Sequence, residues 1–204
     1  MSPRILALDL SLTGTGIAAI GADRRLRLST VDGTRTDGHR RLQHIHATIA
    51  GTVLVVEPQL VVIEDIYQGL KGATALQLAG LHTLVRHWLW LRGVPYVLVN
   101  NTWLKQYALG KGSGPDTGKD AVLLAVERRY GLLAVVGDNN QADALVLLAM
   151  ALDHYGHPLA PVAAKHRAAL AKVRDWPALE PAGDSASPAV ITAPAGDAAT
   201  RRMP

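Results

Sequence analysis

Ile5-Leu6-Ala7-Leu8-Asp9-Leu10-Ser11-Leu12-Thr13-Gly14-Thr15-Gly16-Ile17-Ala18-Ala19-Ile20 is a short apolar strand that closes on a carboxylate, turns through Ser, Thr and Gly, and returns as a second apolar run. A carboxylate at the mouth of a buried strand must be met by cations or hydrogen-bond donors, because leaving it bare costs several kcal/mol or more. One way to meet it is a turn in which Asp9 caps its own backbone amides. The other is a set of further carboxylates gathered around divalent metal, with the rest of the chain as the scaffold that delivers them.

Working outward, Leu26 to Val31 alternates as a third strand, and the tight Gly21-Ala22-Asp23 connection predicts an antiparallel meander over the first 31 residues. From Arg40 to Val56, Leu42, Ile45, Ile49, Val53 and Val56 recur at helical spacing, and Pro58 ends that amphipathic helix. Leu60-Val61-Val62-Ile63-Glu64 is a continuous apolar run, the signature of a parallel strand buried on both faces, and it too ends on a carboxylate. A helix over Thr74 to Arg92, a strand over Val94 to Val99 and a short helix over Thr102 to Ala108 follow. The Gly-rich basic stretch from Gly110 to Lys119 reads as a mobile loop. Helices over Lys119 to Tyr130 and Gln141 to Tyr155 complete a domain of residues 1–155, an α/β fold with a mixed five-stranded sheet flanked by helices. Residues 156–204 read as an Ala/Pro-rich tail with a short basic helix from Val162 to Arg174 and disorder from Pro177 on.

The chain of 204 residues has no cysteine, which excludes disulfides, thiolate catalysis and Cys-ligated zinc. No apolar run reaches bilayer-spanning length or has the form of a signal peptide, so no membrane partner is expected and a cytoplasmic location is. Through residue 155 there are 15 basic and 13 acidic residues. If four of those acids are neutralised in a metal cluster, the remaining surface is basic enough to favour a polyanion. None of the eight histidines has the company of a zinc site.

A right-handed crossover lays the strand ending at Glu64 parallel beside the strand ending at Asp9. Both acids then leave the carboxyl edge of the sheet, where open α/β sheets place their sites. Asp143, early in the last long helix, and Asp138, at the turn that caps it, can approach the same edge. Four like charges this close would repel unless cations held them, and an all-oxygen donor set points to two Mg²⁺ or Mn²⁺ ions per site. Such a pair promotes in-line attack of water on a phosphodiester. Lys105, Lys111 and Lys119, in or beside the Gly-rich loop, are candidate contacts to the phosphate backbone, together with Lys71 and with Tyr67, which can stack on a base. Asp65 should point to the face of its strand opposite Glu64. Taken singly, Glu64 reads as a surface acid, Asp138 as a helix cap, and Trp88 and Trp90 as core or interface residues. The Gly-rich loop fails the Walker pattern, because Ser113 stands where Gly is required and Asp120 follows Lys119.

Asp9 with its Ser/Thr/Gly turn, Val62-Ile63-Glu64, the run Trp103-Leu104-Lys105-Gln106-Tyr107-Ala108-Leu109-Gly110-Lys111-Gly112 followed by Lys119, and Asp138 with Ala142-Asp143-Ala144-Leu145 together resemble the RuvC family of Holliday-junction resolvases, especially its phage-borne branch. The resemblance covers roughly residues 4–155. It implies a ribonuclease H-like fold, a homodimer, and a crossover junction endodeoxyribonuclease that cuts four-way DNA by paired nicks using Mg²⁺ or Mn²⁺ and leaves 5′-phosphates. A phage-encoded chain would act in the host cytoplasm. Carried over, Asp9 and Glu64 are the central metal ligands, Asp143 the acid on the last helix and Asp138 the fourth. Lys119 joins the catalytic group, and Lys105, Lys111 and Lys119 face the DNA.

Two positions depart from the family pattern. Cellular members place the last two acids three apart, which puts Asn140 where the fourth ligand is expected, while Asp138 lies five before Asp143. Asp65 stands where the cellular pattern has an amide. Two other functions fit the same residues: a branched-DNA-binding module without turnover, and a ribonuclease H-like nuclease on RNA–DNA hybrids or flaps.

Overall fold

A computed structural model describes residues 2–66, 69, 71–131 and 133–179, except the side chain of Lys119. Five strands form one mixed sheet: β1 (Ile5–Asp9), β2 (Gly14–Ile20), β3 (Leu26–Asp32), β4 (Leu60–Glu64) and β5 (Tyr96–Val99). Their spatial order is β3-β2-β1-β4-β5, with β1, β2 and β3 antiparallel and β1, β4 and β5 parallel. The meander, the parallel pair and the ribonuclease H-like α/β architecture all match the sequence expectation.

Side-chain parity divides the sheet into two cores. Leu6, Leu8, Ile17, Ala19, Val61 and Ile63 face α1 (Gly38–Val56) and α2 (Gly72–Leu91). Ile5, Ala7, Ala18, Leu60, Val62, Val97 and Val99 face α3 (Asn101–Leu109), α4 (Lys119–Tyr130) and α5 (Asn139–His154). Successive strand residues alternate between these faces, which is why β1 and β4 read as unbroken apolar runs. α5 is the central helix, with every residue from Ala144 to Asp153 buried. Each fully buried Leu in it contributes about 1.5–3 kcal/mol relative to exposure.

The approach of α5 to the sheet depends on Gly16. A Cβ there would lie 2.0 Å from the Asn140 carbonyl oxygen, a backbone atom that cannot rotate away. The helix therefore starts directly against the β1–β2 corner that carries Asp9. At the other end of α1, Glu57 closes the helix in the left-handed region, with φ 46°, just before Pro58.

Packing continues past residue 155. The sequence predicts one basic helix over Val162 to Arg174, whereas the structure has a four-residue α6 (Ala164–Arg167) and a 3-10 turn (Leu170–Lys172). Ala169, Leu170 and Val173 are buried in the core shared with α5. Trp176 stacks on His154 with ring centroids 4.5 Å apart, and Tyr155 donates to the Pro177 carbonyl at 2.7 Å. Arg167 reaches Asp153 at 3.0 Å, and Tyr107 donates to the same carboxylate at 3.1 Å. Burial first, and then the neighbouring Tyr130 and Asp153, push the Tyr107 phenol well above its ordinary range. These tertiary bonds replace the regular helix, since a free segment this short has little helical stability of its own. The disorder expected from Pro177 on falls mainly in residues 180–204, outside the described residues. No helix among the described residues is long and apolar enough to cross a membrane.

Candidate active site

β1 and β4 pair in parallel with Leu8 opposite Ile63, so Asp9 and Glu64 are the next residues out on adjacent strands. Both have the parity of the α5 face, being two residues beyond Ala7 and Val62. α5 brings Asp143 to the same place one turn from its start. Carboxylate oxygens of Asp9, Glu64 and Asp143 all lie within 4.8 Å of one another, and all three residues are half-buried. Of the four acids expected to gather, three do.

Asp138 is the exception. It is the N-cap of α5: Oδ1 accepts the Gln141 backbone N–H at 2.8 Å, and Oδ2 accepts the Thr30 hydroxyl at 2.6 Å. Gln141 in turn accepts the Gly137 N–H at 2.9 Å, a reciprocal arrangement close to a capping box. With both oxygens holding the helix start, Asp138 lies outside the acid cluster. Asn140 rests against the β1–β2 corner, its amide nitrogen 2.8 Å from where a Gly14 Cβ would stand.

The sequence reading missed Asn101. Its Nδ2 donates to Glu64 Oε1 at 2.6 Å, while Asn100 caps α3 by accepting the Thr102 N–H at 2.8 Å. Glu64 pairs with Val99 across β4 and β5, so the residue two beyond Val99 falls beside it. The signal in the sequence was the Asn100-Asn101 pair directly after a strand.

The basic residues occupy different positions. Lys105 lines a cleft beside the cluster. Lys111 pairs with Asp116 at 2.8 Å inside the Gly-rich loop, and Lys71 is exposed at the start of α2. Lys119 is the first residue of α4, but its side chain lies outside the described part, as does Tyr67. On the opposite face, His82 is buried on α2 with Nδ1 unpartnered among the described residues. Burial holds its imidazole down to about 4, with Arg86 adding to the shift and Asp65 opposing it.

An all-carboxylate set of three, with no sulfur or imidazole, has the chemistry of a hard divalent cation site such as Mg²⁺ or Mn²⁺. No protein-family model matches the chain. Over 160 residues it is 29% identical to the crossover junction endodeoxyribonuclease RuvC of Pseudarthrobacter chlorophenolicus, an alignment spanning 76% of this chain and 80% of that protein. Among solved structures, Thermus thermophilus RuvC matches with a TM-score of 0.58 at 24% identity, covering 76% of this chain and 97% of that one. This chain has the RuvC resolvase fold. T. thermophilus RuvC in complex with a Holliday junction substrate matches with a TM-score of 0.59 at 19% identity, covering 79% and 99%. The Fowlpox virus resolvase in complex with substrate Holliday junction DNA reaches 0.53 at 11% identity over 74% and 98%. Within this RuvC-type frame, the three clustered acids occupy the carboxyl edge of the parallel strands, where an open α/β sheet places its site.

Proposed function

We propose that the chain is a metal-dependent, structure-selective endodeoxyribonuclease that cuts four-way junctions and other branched DNA by paired nicks leaving 5′-phosphates. The observation that carries this is the convergence of Asp9, Glu64 and Asp143 to within 4.8 Å on a RuvC-type fold. The similarity to RuvC resolvases, one of them solved with junction DNA, supports the choice of substrate.

Two divalent ions held by these oxygens would activate a water and stabilise the leaving oxygen of an in-line phosphodiester attack. Asp9 and Glu64 supply ligand oxygens from rigid strand ends, and Asp143 supplies them from a helix that cannot shift, being buried along its length. Asn101 fixes one Glu64 oxygen. Lys105, Lys111 and Lys119, with Lys71 and Tyr67, are the residues assigned to neutralise or stack on the DNA. Residues 1–155 carry the chemistry, and the chain beyond them braces α3 and α5. Binding as a homodimer would present two equivalent sites to the two-fold junction. The exposed stripe of Leu76, Leu84 and Leu91 on α2, with Trp90 beside it, is the surface assigned to that contact. A phage-type member, with the fourth acid replaced by a helix cap, fits a broader range of branched substrates.

End-labelled four-way junctions, flaps, linear duplexes and RNA–DNA hybrids, incubated in Mg²⁺ and in Mn²⁺, test the reading. Symmetric nicks on the junction, sealable by ligase, are expected. The three-member cluster also favours a second reading, a junction binder without turnover. Tight junction binding with no cleavage in either metal would select it, and preferential cutting of the hybrid would replace both.

A further inference from the structure

No acid occurs between Asp153 and Asp175, and that stretch carries Lys165, Arg167, Lys172 and Arg174, all exposed. Its packing holds these cations in place. Ala169, Leu170 and Val173 are buried in the core shared with α5, which leaves the charged side chains on the outer side. Lys172 donates to Gln106 Oε1 at 2.6 Å, and His166 Nδ1 lies 2.8 Å from the Tyr107 carbonyl oxygen, so the segment is tied to the C-terminal half of α3. From α4, Arg129 donates to the Tyr107 and Ala108 carbonyls at 3.2 and 3.0 Å, and Arg128 beside it is exposed. The ends of α3 and α4 and the segment from α6 to the 3-10 turn thus form one basic shelf.

Glu127 and Asp175 are exposed acids of the same elements, set against five exposed cations: Arg128, Lys165, Arg167, Lys172 and Arg174. Asp153 adds no charge to the surface, being buried and bonded to Arg167 and Tyr107. Among the described residues, none of the exposed large apolar side chains lies beyond Val135. A partner here is held by charge and not by a buried apolar centre, which suits a phosphate backbone and not the lysine-poor core of a protein interface. The shelf is also continuous with the Gly-rich loop. Gly110 closes α3 in the left-handed region, with φ 77°, and a Cβ on it would lie 2.9 Å from Lys165 Cε and 3.0 Å from His166 Nε2. Lys165 therefore crosses the root of that loop. α3 begins at the catalytic edge, where Asn101 holds Glu64, and its nine residues carry the chain about 13 Å back from it. That is the rise of about four base pairs at 3.4 Å each.

We propose that this shelf is a second DNA-binding surface, which holds the backbone of a duplex arm about four or more base pairs from the cut, an inference that rests on the nuclease reading above. Lys165 and Arg174 contact the arm, while Arg167 and Lys172 fasten the segment that presents them.

The test uses the full chain with Asp9→Asn, so that the DNA stays intact, with and without the pair Lys165→Ala and Arg174→Ala. The pair should lower the slope of log affinity against log salt by about 2, on a four-way junction and on a linear duplex alike, and weaken binding about tenfold at low salt. Because both side chains are exposed, the melting temperature should not move. Lys165→Arg with Arg174→Lys keeps the charges and should restore the slope. On junctions carrying three consecutive neutral methylphosphonates moved outward from the cut, the parent should lose affinity when they lie about four to six base pairs out, and the Ala pair should not respond there. An unchanged salt slope, or a methylphosphonate effect that survives the Ala pair, would overturn the shelf while junction preference persists. A parent that binds junction and duplex equally would overturn the nuclease reading instead, and the slope on the duplex would still decide whether the shelf binds DNA.

Discussion

Three carboxylates on two strand ends and one helix are the residues on which the account turns, and an asparagine and a fourth acid mark its limits. Asp9, Glu64 and Asp143 were legible because each interrupts an apolar run, and strand parity says which way two of them point. Asp138 was legible as a cap and, equally, as a ligand. The observed bonds to Gln141 and Thr30 show the cap. Asn101 was not legible, because either of two adjacent asparagines could cap α3 and a one-residue shift in the helix start decides which is left for Glu64. Two substitutions should therefore differ in kind. Asn101→Ala should lower Mn²⁺ affinity about 10–100-fold, as loss of a ligand's hydrogen-bond partner does, with an unchanged melting temperature in calorimetry. Asp138→Ala should leave Mn²⁺ affinity near wild type and cost about 1 kcal/mol of stability, read as a lower urea midpoint.

At the scale of elements, strand and helix order could be read because apolar periodicity survives wherever an element is buried on one or two faces. Lys119–Tyr130 was placed to the residue, since Gly118 and Gly131 flank it. The segment after 155 was not, because its conformation is set by Arg167 on Asp153 and Trp176 on His154 rather than by its own pattern. The packing of α2 has a consequence for acid stability. His82 is neutral in both folded and unfolded chains above its ordinary value of 6.5, and burial lowers its folded value to about 4. As pH falls from 6.5 to 4, the unfolded chain takes up the proton first, so stability declines through that window and the decline ends below it. Urea midpoints measured from pH 7.5 to 4.5 should fall less steeply in His82→Leu than in wild type.

For the whole molecule, the sheet separates two cores and leaves the carboxyl edge of β1 and β4 open between them, which is where the acids gather. The outer face of α2 is the other conspicuous surface, with Leu76 77% and Trp90 66% exposed. If that face pairs two copies, Trp90→Glu should shift the protein toward monomer in sedimentation equilibrium while leaving its folding intact, because the side chain is largely outside the core. An unchanged mass would move the interface elsewhere.

The most direct test of the central claim is single-turnover cleavage of an end-labelled four-way junction in Mn²⁺ by wild type, Asp9→Asn, Glu64→Gln and Asp143→Asn, with junction binding measured alongside. Paired nicks by wild type, lost in each of the three variants while binding is kept, are what three acids acting as one metal site predict. Undiminished cleavage by any one variant would contradict that site.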